Sequence, residues 1–126
     1  MTTTPHLKLK AQLYCGEEIA MGPGKAALLQ AIADAGSISA AGRALGMSYR
    51  RAWLLVDTMN RCWQTPLVET LAGGQKGGGA RLTDLGDQVL AAYLALEDEL
   101  ARAAAGPTLD ALTAALLPEA RPAQLR

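Results

Sequence analysis

The sequence predicts a mostly α fold: a winged helix-turn-helix with a short N-terminal strand, a two-stranded wing and a long C-terminal dimerisation helix. Three observations lead to this prediction. Residues 36–60 read as a short helix, a tight turn and a longer helix. Residues 67–83 read as two short strands around a glycine-rich tip. A capped, apolar helix then begins at Asp84 and ends before Gly106. A long helix after a wing completes the pattern of this fold.

The segment 36–60 carries the local signals of two helices separated by a turn. The Ser39 hydroxyl can accept an N–H of the first turn, so we expect Ser39 to cap a helix over residues 40–45. Gly46 suits the left-handed residue that ends this helix, and Ser48 can cap the next one. An apolar set at three- and four-residue spacing then predicts one buried face: Tyr49, Ala52, Trp53, Val56, Met59 and Trp63.

Arg50 and Arg51 fall outside that face, in the first turn of the second helix. Recognition helices place the side chains that contact DNA at this position. The segment alone leaves an alternative open, which is an ordinary helical hairpin with two solvated arginines.

The charge distribution favours a nucleic-acid partner although the net charge of the 126 residues is zero. Residues 36–83 hold six basic and two acidic residues, a net charge of +4, whereas residues 84–126 hold three basic and seven acidic residues, a net charge of −4. The basic part coincides with the helix-turn-helix.

Composition predicts neither an enzyme nor a metal site. His6 is the only histidine, and without it no Ser-His-Asp or Cys-His arrangement is available. Cys15 and Cys62 have no metal-ligand spacing, so we expect free thiols, no metal and no cofactor. The N-terminus lacks an apolar signal region, and no apolar run reaches the ~18 residues of a membrane span. We therefore expect a cytoplasmic protein of one domain.

Two elements are expected before the helix-turn-helix. Apolar residues 7, 9, 11 and 13 alternate with more polar ones, which predicts a half-buried strand over residues 7–14. A loop follows as far as Gly24. Pro23 suits the first position of a helix that runs to about Ala35. Its inward side chains are expected to be Leu28, Leu29 and Ile32.

The predicted wing has strands over residues 67–71 and 81–83. Its glycines would let the backbone approach a phosphate, Lys76 supplies a charge, and Gln75 can form hydrogen bonds. A flexible surface loop is the alternative. A nucleotide-binding loop is disfavoured because neither GxxxxGK[ST] nor GxGxxG fits the glycine spacing.

Thr83 is expected to cap the long helix, which carries two sets of apolar residues. At 1.5 Å per residue this helix is ~33 Å long, more than so small a domain needs to cover its core. The surplus predicts a homodimer seam, and the alternative is a helix that packs entirely on its own domain. The main stripe is Leu85, Val89, Ala92, Tyr93, Leu96 and Leu100, and a second side carries Leu90, Leu94 and Ala101.

The end of the sequence predicts a separate C-terminal piece. Thr108 can cap a short helix over residues 109–117, before a tail. We divide the chain into a DNA-binding and dimerisation domain, residues 1–105, and a short helix with its tail, residues 106–126.

These residues resemble the DNA-binding domain of ModE-type molybdate-responsive regulators, which share a winged-helix design with LysR-type regulators. The motifs that carry the resemblance are GSIS at 36–39, Ser48-Tyr49, Ala52-Trp53, Met59-Asn60, Gly73-Gly74, KGGG at 76–79, and Leu82-Thr83 with Gly86. The resemblance implies a dimer held by the N-terminal strand and the long helix, a recognition helix from Ser48, a wing around Lys76, and control of molybdenum-related genes.

Three features depart from the family pattern. Family members continue into molybdate-binding domains, whereas this sequence stops about where those would begin, so molybdate binding is not carried over. Arg51 stands where a small residue is common. Leu54 and Leu55 make the outer side of the recognition helix unusually apolar, for contact with thymine methyl groups or with another part of the dimer.

We expect a homodimeric, sequence-specific transcriptional regulator that binds double-stranded DNA. The residues expected to contact DNA are Ser39, Arg43, Ser48, Tyr49, Arg50, Arg51, Gln75 and Lys76. The rival hypothesis is an interaction module that heterodimerises with a full-length ModE-type regulator. A third is molybdate bound at a dimer seam, which nothing in the sequence requires.

Overall fold

The computed structural model describes residues 4–72 and 78–124. Residues 10–96 form one compact unit, and residues 4–9 with 97–124 form another. The elements are β1 (Leu13–Cys15), β2 (Glu18–Met21), α1 (Pro23–Ala35), α2 (Ile38–Ala44), α3 (Tyr49–Cys62), β3 (Val68–Thr70), β4 (Ala80–Leu82), α4 (Asp84–Ala104) and α5 (Pro107–Ala115). The predicted winged helix-turn-helix, mostly α, is confirmed.

The helix α1 agrees with its prediction at both ends. Pro23 lies in its first turn, and Gly36 ends it in the left-handed conformation with φ of 78°. The predicted inward residues Leu28, Leu29 and Ile32 are fully buried. They form the centre of the core on which α2 and α3 pack.

The cap of α2 is Ser37, so the prediction of Ser39 is wrong. The Ser37 hydroxyl accepts the Ala40 N–H at 3.1 Å, and the helix begins at Ile38. Ile38 is buried, and its packing in the core starts the helix two residues earlier than predicted. Gly46 ends the helical turn with φ of 69°, as predicted.

The cap of α3 is Ser48, as predicted, and its hydroxyl accepts the Arg51 N–H at 3.1 Å. The single buried face predicted for this helix is only partly correct. Its buried members are Ala52, Val56 and Met59. Tyr49 is 59% exposed and Trp53 is 38% exposed, because the core does not extend over that flank of the helix. Of the two outer leucines, Leu54 is exposed and Leu55 packs against the core.

Close approach of α2 and α3 depends on two small residues. A Cβ on Gly42 would lie 3.1 Å from the Ala52 Cβ, tighter than ordinary van der Waals contact. Ala52 is fully buried. The two helices therefore pack closely at this point, and a side chain at position 42 would have to push Ala52 aside.

The N-terminal strand is shorter than predicted, and it pairs with a strand that the sequence analysis assigned to a loop. β1 and β2 form an antiparallel hairpin in which Tyr14 pairs with Ile19 and Cys15 with Glu18. A strand extends only as far as a partner offers backbone groups, and β2 has four residues. Leu7 and Leu9 have no strand pairing and are exposed.

The predicted wing is present as an antiparallel pair in which Glu69 is opposite Arg81. The Ala80 N–H donates to the Gly36 carbonyl at 2.8 Å, which attaches β4 to the start of the helix-turn-helix. The tip, residues 73–77, lies outside the described residues.

The Asn60 side chain connects α3 to β3. Its Oδ1 accepts the Leu67 N–H at 2.9 Å and the Val68 N–H at 3.0 Å, and its Nδ2 donates to the Val68 carbonyl at 3.1 Å. Leu67 and Val68 are buried, so water does not compete for these backbone groups. One amide thus determines where the chain turns from the recognition helix into the wing.

The helix α4 is capped by Thr83, as predicted, and its first turn is fastened to the segment before β3. The Thr83 hydroxyl accepts the Gly86 N–H at 3.0 Å and donates to the Pro66 carbonyl at 2.7 Å. A Cβ on Gly86 would lie 2.1 Å from the Leu67 carbonyl oxygen, so only glycine fits there. The Tyr93 hydroxyl donates to the Ala11 carbonyl at 2.8 Å.

The predicted dimer stripe of α4 divides into a covered and an uncovered part. Val89 and Tyr93 are buried in the core of the protomer, and Leu85 packs against it. Ala92 is exposed whereas Leu90 is buried, the reverse of the prediction, because Leu90 lies nearer to the centre of the buried face. Leu96 is half-buried, and Leu100 is 38% exposed.

In the other unit, α5 begins with Pro107 in its first turn after Gly106. Thr108 therefore lies inside the helix and is not its cap, contrary to the prediction. The residue at the cap position is Gly106, which has no side chain that could accept an N–H of the first turn.

Replacement of Asn60 by alanine should lower the free energy of unfolding by about 2–4 kcal/mol, because two buried N–H groups lose their acceptor. Asn60→Asp keeps an oxygen that accepts both N–H groups, now as a carboxylate, and turns its other oxygen toward the Val68 carbonyl. We therefore expect a loss that is smaller than with alanine but not zero. Urea denaturation followed by circular dichroism compares the two variants, and equal losses would contradict the proposed acceptor role.

Gly86→Ala should destabilise by about 1–3 kcal/mol, because the new methyl group forces α4 away from Leu67. Gly24→Ala is the matched control, a glycine in the first turn of α1 with open space around its Cα. It should stabilise by about 0.5–1 kcal/mol through reduced chain entropy. Thermal unfolding of both proteins should shift the midpoint in opposite directions.

Candidate nucleic-acid interface

The outer surface of α3 begins with an exposed aromatic pair. The rings of Tyr49 and Trp53 lie one turn apart and stack, with centroids 6.1 Å apart and an interplanar angle of 19°. Both side chains remain accessible at the surface. Large apolar groups left exposed together commonly mark a binding surface. The pair is therefore available to a partner and is not part of the core.

An open cleft of about 250 Å³ lies between the start of α2, the flank of α3 and the wing. We call it the reading cleft. The residues that line it are Ser37, Ile38, Ser39, Tyr49, Trp53, Thr70, Gly78, Gly79 and Ala80. It combines hydroxyl groups, backbone and aromatic rings. Such a lining can form hydrogen bonds and apolar contacts with one strand of a nucleic acid.

Next to the cleft, the outward face of α3 is mainly apolar, with a single cation. This face comprises Tyr49, Arg50, Trp53, Leu54 and Asp57. The Asp57 carboxylate accepts a hydrogen bond from Arg61 Nε at 2.9 Å, which raises the pKa of Arg61. The Asp57 carboxylate is thus paired with Arg61 along the helix. The Arg50 guanidinium therefore remains available to a partner outside the protein.

Ion pairing separates the basic residues of this region into two groups. Arg61 contacts Asp57 and also Glu18, at 3.8 Å, and Arg81 is paired with Glu69 across the wing. Arg43, Arg50 and Arg51 are exposed, and within the described residues no carboxylate lies in ion-pair distance of them. These three guanidinium groups are the ones available to phosphates or base edges.

Lys25 is a basic residue that the sequence analysis missed. Partial burial lowers the pKa of Lys25, Cys62 and Glu18 oppose this shift, and Arg51 adds a smaller lowering. The titratable groups that act on Lys25 most strongly thus lie at the C-terminal end of α3 and on β2. Lys25 lies far from Cys62 in sequence, so only the packing of α1 on α3 reveals their proximity.

The predicted contact residues fall into three groups. Ser39 and Tyr49 line the reading cleft, and Arg50 lies on the outward face. Arg43 in the last turn of α2, Ser48 at the cap of α3 and Arg51 are exposed beside these surfaces. Gln75 and Lys76 lie outside the described residues. The structure adds Ser37, Trp53 and Thr70 to the lining of the reading cleft. Of these, Trp53 was predicted to lie in the core.

Residues 4–72 and 78–124 contain neither a candidate metal site nor a candidate membrane span. No group of three or more His, Cys, Asp and Glu side chains there could hold a metal ion. No helix in this part of the chain has the length and apolar character that crossing a membrane requires.

Comparison with known proteins identifies the same region. The family model described as bacterial regulatory helix-turn-helix protein, lysR family, matches residues 25–87, from α1 to the first turn of α4. This match includes α3 and the wing strands. It agrees with the resemblance found in the sequence.

Individual relatives carry names connected with molybdenum. The chain is 48% identical over 82 residues to the molybdenum-pterin-binding protein MopB of Rhodobacter capsulatus, covering 65% of the chain and 30% of MopB. It is 49% identical over 72 residues to the molybdenum transport protein ModE of Azotobacter vinelandii, covering 57% and 27%. It is 38% identical over 87 residues to the DNA-binding transcriptional dual regulator ModE of Escherichia coli K12, covering 69% and 31%. The match thus spans less than a third of each relative, and the predicted resemblance to the ModE-type DNA-binding domain is confirmed.

Occupancy of the reading cleft should change the fluorescence of Trp53, because its ring is exposed and would stack or lose water on contact with DNA. Trp63, whose Nε1 donates to the Ala20 carbonyl at 3.2 Å, should be insensitive. A titration with duplex DNA should therefore give the same change in Trp63→Phe and none in Trp53→Phe. A change that persists in Trp53→Phe would assign the contact to another surface.

Proposed function

Because the chain belongs to the lysR family of bacterial regulatory helix-turn-helix proteins, we propose that it binds a specific DNA site as a homodimer and thereby controls transcription. The observation that carries this proposal is the unpaired Arg50 on the exposed outward face of α3. A cation among apolar side chains at the start of a recognition helix matches the chemistry of the major groove, which offers guanine acceptors and thymine methyl groups.

In this proposal α3 enters the major groove with its first turns. Arg50 donates two hydrogen bonds to the O6 and N7 of a guanine, while Leu54 and the aromatic pair contact neighbouring apolar edges. The Arg50 guanidinium is free for this role because Asp57 is already paired with Arg61.

The remaining residues hold the phosphate backbone in our proposal. Arg43 and Arg51 are exposed basic groups beside the α3 N-terminus, and their charge would release counterions from DNA. Ser39 and Ser48 can donate their hydroxyl protons to phosphate oxygens, since the Ser48 oxygen only accepts within the chain. Gln75 and Lys76 at the wing tip are proposed to contact the adjacent backbone.

The homodimer is proposed to form along the second half of α4. Leu94 is 46% exposed and Leu100 is 38% exposed, and such side chains on a long helix gain from burial against a second copy. Two-fold symmetry would present two α3 helices about one DNA turn apart, ~34 Å, on a roughly palindromic site.

The proposed targets are genes connected with molybdenum. The supporting observation is that relatives similar to this chain are called molybdenum transport protein and transcriptional regulator ModE. The site of action would be the cytoplasm, where bacterial DNA lies.

A second candidate uses the same α4 surface for a different partner. A longer ModE-type regulator would present a matching α4, and the exposed leucines would then form a mixed dimer. Co-purification of the two chains, combined with no binding of any promoter fragment by the pure protein, would favour this candidate.

Arg50→Ala should weaken binding to each half-site by ~1–3 kcal/mol, about fivefold to 150-fold, and relax the preference at one base pair of that half-site. Binding to random DNA should change little. Fluorescence anisotropy on both duplexes measures the difference, and equal weakening on both would assign Arg50 to phosphate. Arg102→Ala serves as the control, because Arg102 is paired with Asp98 on the far half of α4.

Leu100→Asp should dissociate the homodimer, because it introduces a charge into the proposed apolar seam. Analytical ultracentrifugation at micromolar concentration should show a monomer, and DNA affinity should fall with it. Leu112→Asp is the matched control, since Leu112 is 63% exposed on α5. If Leu112→Asp were a monomer and Leu100→Asp remained a dimer, the dimer interface would lie on α5 and not on α4.

A further inference from the structure

The two cysteines of the chain meet at the end of the recognition helix opposite to the reading cleft. Cys15 is the last residue of β1, and Cys62 is the last residue of α3. Both are free thiols, with Cys15 exposed and Cys62 half-buried. Neither contributes to the interface described above.

Contacts on both sides of Cys62 hold the β1–β2 hairpin against this helix end. Cys15 pairs with Glu18 across the hairpin, and the Glu18 carboxylate lies 3.8 Å from the Arg61 guanidinium. On the other side the Trp63 Nε1 donates to the Ala20 carbonyl at 3.2 Å. Residues 61 and 63 are therefore both anchored to β2, and the Cys62 thiol lies within hydrogen-bonding reach of Cys15.

The two thiols differ in their accessibility to solvent. Burial raises the pKa of Cys62, and the hydrogen bond and charge of Cys15 raise it further, together with Glu18, while Arg61 opposes them. Cys62 therefore keeps its proton, and Cys15 is the thiol that a reagent in solution meets first.

We propose that Cys15 and Cys62 form a dithiol site that low-molecular-weight disulfides oxidise to an intrachain disulfide. The Cys15 thiolate attacks a sulfur of the oxidised tripeptide glutathione, forms a mixed disulfide and releases one glutathione thiolate. Cys62 then loses its proton to solvent and attacks the Cys15 sulfur. The Cys15–Cys62 bond forms as the second glutathione leaves, so two protein thiols are oxidised and one glutathione disulfide is reduced.

The cross-link would fasten the hairpin to the C-terminal end of α3. The first turn of α3, which carries Tyr49 and Arg50, is about 18 Å away along the helix, so the reading cleft is not altered. The stabilisation would come from the smaller entropy of the unfolded chain.

The test is incubation of the full chain with oxidised glutathione, followed by peptide mapping without reduction. We expect a linked peptide containing Cys15 and Cys62, no retained glutathione, and a midpoint of thermal unfolding raised by roughly 5–15 °C. A thiol reductant should reverse both changes. This experiment uses no DNA, so its outcome is independent of the proposed function.

Two single variants distinguish the steps. Cys62→Ser should accumulate one glutathione on Cys15, because the second thiol is missing. Cys15→Ser should react at least tenfold more slowly, since only the half-buried Cys62 remains. Stable glutathione adducts on the unmodified chain, or disulfides between chains in place of the linked peptide, would overturn the proposal.

Discussion

The Asn60 amide is the interaction on which the other parts of the winged helix-turn-helix depend. Its three hydrogen bonds join the last turn of α3 to Leu67 and Val68, where β3 begins. The same segment then receives the first turn of α4, because the Leu67 carbonyl accepts the Thr83 N–H at 2.9 Å and lies against Gly86. A single polar side chain at the end of the recognition helix thus aligns that helix with both the wing and the long helix. Hydrogen bonds with buried backbone groups suit this task, since they are directional and costly to leave unmade.

A second constraint is that α3 must contribute to the core and also present a surface to a partner. Ala52, Val56 and Met59 make the first contribution, and close packing at Gly42 allows a narrow buried face to hold the helix. The rest of the circumference is then free for Tyr49, Arg50 and Trp53. This division explains why large aromatic residues are exposed on a chain that has only five of them.

Ion pairing concentrates the useful charge in a protein of zero net charge. Arg61 and Arg81 are held by Asp57 and Glu69, so they stabilise the helix and the wing. Exposed pairs of this kind contribute little to stability, on the order of 0–1 kcal/mol each. Their main effect is that the positive charge of Arg61 and Arg81 is neutralised, so the uncompensated positive charge is that of the other arginines of this region. The unpaired arginines around the start of α3 are Arg43, Arg50 and Arg51. Local arrangement, and not total charge, therefore makes this surface attractive to a polyanion.

The sequence by itself determined the features that depend on neighbouring residues. Pro23, Gly46, Ser48 and Thr83 set helix ends through their own backbone preferences or a hydroxyl within one turn, and these positions were predicted correctly. Tertiary structure decided which apolar residues are covered. The spacing of apolar residues predicts that Ala52 and Trp53 are both buried. Only the placement of the wing and α2 shows that Trp53 lies outside the core. The same holds for strand length, which the four residues of β2 limit, and for the proximity of Cys15 and Cys62. Local signals act within a few residues, whereas these contacts arise from packing between segments that the sequence keeps far apart.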